Sequence, residues 1–233
     1  MAETLAFFRG KIVPVAEAKV SVMTHALHYG TAVFEGMRGN WNEDQGKMFI
    51  FRMREHYDRL VQGCRMLLLD IPYGVDELCG ITIDLLQSCG YKEDVYIRPL
   101  AYKSQEMVAN LKLHELESDF TLMAVPFGAY IETEGAIRCS TSSWRRMDDT
   151  IIPPRVKISG HYVNSILAKT EAVLAGFATH VLTQLQLLCF GALGFIALMK
   201  TGVYPDEKRA VHIDAEILYR KLGPWLVRKT GSA

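Results

Sequence analysis

Two long β-rich runs, "DVYIRPLAYK" (Asp94 to Lys103) and "DFTLMAVPFGAY" (Asp119 to Tyr130), constrain this chain most. Each is bounded by polar turns, as buried strands are. They follow two stretches with helical periodicity. Residues 55 to 69 place Leu60, Val61, Cys64, Leu67 and Leu68 on one face, and Val75 to Cys89 does the same with Leu78, Cys79, Ile83 and Leu86 before stopping at Gly90. Upstream, "AFFRGKIVPV" reads as a hairpin around Gly10 and "KMFIF" (Lys47 to Phe51) as a short strand; downstream, "GAIRCSTSSW" reads as another strand. Helices and strands alternating in this way predict a mixed α+β fold, with a hinge where "PFGAYIETEGA" (Pro126 to Ala136) joins two parts.

With 233 residues the chain can bury a substantial core. Twenty-six basic residues balance twenty-six acidic ones, and no basic tract argues for a nucleic-acid partner. Cys64, Cys79, Cys89, Cys139 and Cys189 are scattered without a CxxC pair, a pattern of free thiols in a reducing compartment. The start "MAETLAFFRG" lacks a basic region followed by an apolar one, so a cytoplasmic location is expected. His25 and His28 stand three apart without a third ligand, and "HELE" at His114 lacks a second histidine, so no metal site is expected.

The stretch "RVKISGHYVNS" (Arg155 to Ser165) holds a lysine on a fixed path. "IIPP" (Ile151 to Pro154) forces an extended or turning approach, and Asn164 and Ser165 are plausible caps for a helix carrying Ile166, Leu167, Val173 and Leu174 and ending at Gly176. Taken alone, Lys157 reads as a solvated surface residue. Composition then changes: Val181 to Met199 carries no charge, which makes residues 181–200 a candidate membrane or interfacial helix, with a buried core helix as the alternative.

Five separated blocks in order give Lys157 a different meaning. "MTHALHYGTAVFEGMR" (Met23 to Arg38), "FRMREHYDRL" (Phe51 to Leu60), "VYIRPL" (Val95 to Leu100), "VPFGAY" (Val125 to Tyr130) and "SSWRR…TIIPPRVKISGHYVNS" resemble the branched-chain amino acid aminotransferases, fold-type IV enzymes that use pyridoxal phosphate. The resemblance covers residues 1–177. It implies an α+β small domain over 1–127, an interdomain linker and the truncated start of the large, cofactor-binding domain over 128–177, and a divergent, mainly helical tail over 178–233.

Under that resemblance Lys157 is the Schiff-base lysine and proton shuttle, a task that asks for an amine tuned from about 10.4 to about 7–8. Tyr162 matches the tyrosine that hydrogen-bonds the cofactor's phenolate oxygen. Arg59 matches the arginine that grips its phosphate through a planar fork; on spacing alone it reads as a helix-surface residue paired with Glu55. Tyr96, Arg98 and Tyr130 match the group that receives substrate carboxylates, and Phe34 and Tyr29 match the wall of the side-chain pocket. The implied partners are leucine, isoleucine or valine, 2-oxoglutarate or glutamate, and a second copy of the chain in a homodimer, in branched-chain amino acid biosynthesis. D-amino-acid transaminase and aminodeoxychorismate lyase, within the same fold type, are the neighbouring alternatives.

The sequence departs from the family after "EAVLAGF". The family's "EGSGEN"-type segment, whose acid pairs with the pyridine nitrogen, and its "G-I/V-T-R" phosphate turn are not found, and no acid lies between Glu171 and Asp206. His180 to Arg220 weakly resembles the end of an ion-antiporter membrane subunit. An inactive truncated or chimeric fragment, attached to a membrane by its C-terminal segment, is therefore the competing expectation.

Overall fold

In a computed structural model of the chain, the described residues are 4–128 and 138–177, with 179–181 described by backbone alone. The hinge expected within 126–136, the tail and the candidate span at 181–200 lie wholly or largely outside the described residues.

The expected hairpin forms from β1 (Leu5–Phe8) and β2 (Lys11–Pro14), antiparallel with Leu5 opposite Pro14 and a turn at Arg9–Gly10. A short helix α1 (His25–Tyr29) leads into β3 (Ala32–Phe34), β4 (Met37–Asn42) and β5 (Lys47–Ile50). Two helices follow, α2 (Met53–Met66) and α3 (Val75–Cys89), then the two long strands β6 (Val95–Lys103) and β7 (Ser118–Pro126). The strand order is β2-β1-β7-β6-β4-β5, with β3 also against β6. Beyond it lie β8 (Cys139–Thr141), α4 (Tyr162–Leu174) and β9 (Thr179–Val181), the last parallel to β8.

Alternation along β6 decides where the site can be. Val95, Ile97 and Ala101 point into a core with Leu60, Leu78, Leu85, Phe120 and Leu122, all fully buried, so Tyr96 and Arg98 must face the other side of the sheet. Pro99 interrupts β6 without cost to pairing. It falls where the strand's second partner changes from β4 (opposite 95–97) to β3 (opposite 100–102), so its missing N–H leaves no ladder bond unmade. Its carbonyl accepts from Glu35 N at 3.0 Å.

Three local expectations need correction. Helix α2 ends at Met66, not 69; Leu68 takes a positive φ and is half exposed, and the chain turns so that Leu69 re-enters the core. The buried stripe of α3 is Leu78, Thr82, Leu85 and Cys89, and Ile83 faces outward. The reason is Thr82: its hydroxyl donates to Leu78 O (2.8 Å) and meets Tyr57 Oη (2.5 Å), so a polar residue sits satisfied in the core face. Helix α4 starts at Tyr162, which places Asn164 and Ser165 within it; Asn164 Nδ2 instead donates to Arg145 O at 2.8 Å.

Lys103, at the end of β6, is 1% exposed. Its ammonium donates to Leu68 O (2.6 Å), Leu116 O (2.9 Å) and Ser118 Oγ (3.0 Å), tying the exit of α2 to the entry of β7. Burial pushes its pKa below the ordinary lysine value, with Asp70 opposing. Lys103→Met keeps the volume and strands those three acceptors, so chemical denaturation should record a loss of about 1–3 kcal/mol. An unchanged midpoint would mean that the ammonium is dispensable there.

Candidate active site

The site is built on β3. Phe34 N–H donates to Lys157 O (3.0 Å), Ser159 N–H donates to Ala32 O (2.8 Å), and Val33 bridges Ile158 antiparallel. The segment after the proline pair therefore docks on β3 as a short added strand, and α4 starts immediately after it. That docking requires Gly30, which holds φ at +64°, and a Cβ there would lie 2.6 Å from Gly160 Cα. The two glycines let the backbones touch, and the turn into α4 is set by that contact.

The turn delivers Lys157 and Tyr162 to one aromatic ring. Lys157 Nζ lies 5.1 Å from the Phe34 centroid and 5.7 Å from that of Tyr162, and the two rings are 4.8 Å apart. Lys157 is half-buried. Phe34, 5% exposed, also carries the Arg98 guanidinium 4.2 Å from its centroid. Arg98 donates to Tyr96 Oη from Nε (3.1 Å) and Nη2 (2.8 Å). Gly36 leaves room for that tyrosine: a Cβ at 36 would sit 2.3 Å from Tyr96 Oη.

Arg59 reaches the cluster from α2, though with a different partner from the one its helix spacing suggests. Glu55 pairs with Arg52, while Arg59 donates to Glu35 through Nε (2.5 Å) and Nη2 (2.7 Å). His56 Nδ1 donates to the same carboxylate at 2.9 Å. Burial would raise the Glu35 pKa, but the hydrogen bonds from Arg59 and His56 and their charges outweigh it, so the carboxyl stays below the usual range. The Glu35 hydrogen bond and charge in turn hold the Arg59 proton more firmly, against the opposing effect of burial.

The expected site residues divide accordingly. Lys157, Tyr162, Phe34, Arg98 and Tyr96 form one contact chain, and Arg59 is joined to it through Glu35, the residue after Phe34. Tyr29 turns elsewhere: its ring lies 4.5 Å from that of His25 and its hydroxyl accepts from Ala109 N at 2.9 Å. Tyr130 lies outside the described residues. His25 and His28 spend ring nitrogens on Asn110 O and Val22 O. Among the described residues no group of three or more His, Cys, Asp or Glu side chains is placed to hold a metal.

Sequence reasoning did not single out Glu35, His56, Arg146 or His161. Arg146 and His161 line an 80 Å³ cavity with Lys157, Tyr162 and Ser165. His161 Nε2 is buried there without a protein partner, and burial together with Arg146 keeps the imidazole pKa below its ordinary value. The only available signal for Glu35 was an acid set inside the apolar run "AVFEG". A larger groove of about 450 Å³, between the β4–β5 hairpin and the end of α3, is mainly apolar and is lined by none of the cluster residues.

A family model described as amino-transferase class IV matches residues 32–192. A probable branched-chain-amino-acid aminotransferase of Aquifex aeolicus is 46% identical over 181 residues, 78% of this chain and 58% of that protein. Among solved structures, the branched-chain aminotransferase of Thermoproteus uzoniensis with norvaline superposes with a TM-score of 0.73 at 36% identity, covering 77% of this chain and 59% of that one. The branched-chain amino acid aminotransferase of Thermobaculum terrenum in its PLP-form gives 0.69 at 33% identity, covering 78% and 59%. The chain thus spans less than three fifths of the length of these relatives.

Gly30→Ala should cost about 1–2 kcal/mol for its left-handed backbone and, in addition, break the seat on Gly160. Gly46→Ala, also at positive φ but with open space around it, isolates the backbone cost. Hydrogen exchange at the Ser159 amide should accelerate in the first variant and not in the second. Equal protection in both would show that the glycine contact does not hold the turn.

Proposed function

Because the chain belongs to the class IV aminotransferase family, we propose that it transfers the amino group of leucine, isoleucine or valine to 2-oxoglutarate using pyridoxal phosphate. The observation that carries this reading is the convergence of an amine, a phenol and a guanidinium around Phe34–Glu35. Those three groups fit a flat aldehyde bearing a phosphate. Arg59 spends two of its five N–H donors on Glu35 and leaves the others for an anion.

Pyridoxal phosphate, when bound, supplies an aldehyde that takes up the amino group and a ring that draws electrons from the substrate α-carbon. The chain's residues supply the rest. Lys157 Nζ would take the proton from that carbon and return it; among the described residues its amine makes no ion pair with a carboxylate. The Tyr162 hydroxyl would hydrogen-bond the cofactor's ring oxygen and so orient it. Arg59 binds the phosphate. Arg98 and Tyr96 receive a substrate carboxylate, with Tyr130 as a third member of that group. Phe34 walls an apolar pocket for a branched side chain; Tyr29, expected beside it, is held toward His25 and Ala109 instead.

The same reading makes 1–127 the small domain, 128–177 the linker and start of the cofactor domain, and a second copy of the chain the partner across the site, in the cytoplasm. Among the described residues no helix is long and apolar enough to cross a membrane.

A second reading, cofactor binding without turnover, is favoured by the lack of any acid between Glu171 and Asp206. Without a carboxylate to keep the ring nitrogen protonated, α-proton loss slows. In that case a membrane-attached segment within 178–233 would serve as an anchor.

Incubation with pyridoxal phosphate, L-leucine and 2-oxoglutarate, with glutamate quantified by chromatography, separates the two. The expected result is glutamate formation that falls by about 10²–10⁴ in Lys157→Ala. A cofactor absorbance band without glutamate would establish the second reading, and neither band nor product would overturn both.

A further inference from the structure

Glu35 is a charged side chain with 1% of its surface exposed, and nothing in the chemistry above uses it directly. Burying a carboxylate is expensive unless it is paired and hydrogen-bonded. Here three donors meet it: Arg59 Nε at Oε1, and Arg59 Nη2 and His56 Nδ1 together at Oε2. Its backbone is equally fixed. Glu35 N–H donates to Pro99 O, and the preceding residue, Phe34, donates to Lys157 O. The carboxylate is therefore locked to the same strand that seats the reactive lysine.

The way Glu35 holds Arg59 matters. It takes the Nε edge of the guanidinium, which leaves the Nη1 end uncommitted on a side chain that is still 52% exposed. An arginine free to sample its rotamers must be ordered each time it binds an anion; one already clamped along one edge is ordered in advance. We propose that Glu35 is a positioning residue. It holds the Arg59 guanidinium edge-on, with His56 as a second clamp, so that the opposite end is set to receive the cofactor's phosphate. This rests on the reading of the site as a pyridoxal phosphate site. Glu35 touches neither substrate nor cofactor; it acts through Arg59.

A role confined to folding predicts a different pattern from a role in aiming Arg59. The experiment measures dissociation constants for pyridoxal phosphate and for pyridoxal, which lacks the phosphate, by fluorescence quenching of the full chain. The proteins are the wild type, Glu35→Gln, Arg59→Ala and the double variant. Glu35→Gln should weaken pyridoxal phosphate about tenfold, the scale of ordering one long side chain, and leave pyridoxal unchanged. In the Arg59→Ala background the same substitution should change neither constant. Equal weakening of both ligands, or an undiminished effect without Arg59, would overturn the proposal and leave Glu35 a structural residue. Glu35→Asp keeps the charge but withdraws it by one methylene, and the same tenfold selective loss is expected if the glutamine variant does not fold. A wild type that does not prefer pyridoxal phosphate to pyridoxal would instead overturn the cofactor reading on which this rests.

Discussion

Two backbone hydrogen bonds, Phe34 N–H to Lys157 O and Ser159 N–H to Ala32 O, hold this site together. Each is worth only about 0.5–1.5 kcal/mol net, yet they fix the register of one segment against another more than a hundred residues away in sequence. Because side chains alternate across a strand, a slip of one residue would turn Lys157 away from Phe34. The Gly30–Gly160 contact guards against that slip by letting the two backbones meet where any side chain would collide.

From that register the rest follows by proximity. Phe34 gathers Lys157, Tyr162 and Arg98 around one ring; Glu35 gathers Arg59 and His56; Gly36 admits Tyr96. Three consecutive residues thus organise both charge and shape. The sheet's other face is occupied by the apolar core, and Lys103 shows how polar groups are tolerated near it: a buried ammonium with three acceptors. Glu35 and Lys103 are opposite charges treated alike. Each is withdrawn from water and surrounded by hydrogen-bonding partners.

Much of the scaffold was legible in the sequence, because hydrophobic period and glycine position report local structure. The Gly10 hairpin, the extent of α3 and the two long strands follow from such signals. Faces were harder to read than extents. Thr82 lies in the buried stripe of α3 because a hydroxyl can return its hydrogen bond to the helix, and no apolarity count registers that. The order of blocks pointed to Lys157, Tyr162, Phe34, Arg98 and Tyr96, which the structure does bring together. Arg59 shows the limit of spacing arguments. Four residues from Glu55 on one helix, it pairs with Glu35, twenty-four residues away. Ion pairs across the fold are decided by packing, and a single sequence does not contain that packing in readable form.

The central claim is that the turn seated on β3 presents one reactive amine to a bound aldehyde. Reduction of the pyridoxal phosphate complex with borohydride, followed by peptide mass spectrometry, tests it most directly. The account predicts a phosphopyridoxyl adduct on the peptide containing Lys157. Label spread over exposed lysines such as Lys11, Lys47 and Lys112, with Lys157 unmodified, would contradict it.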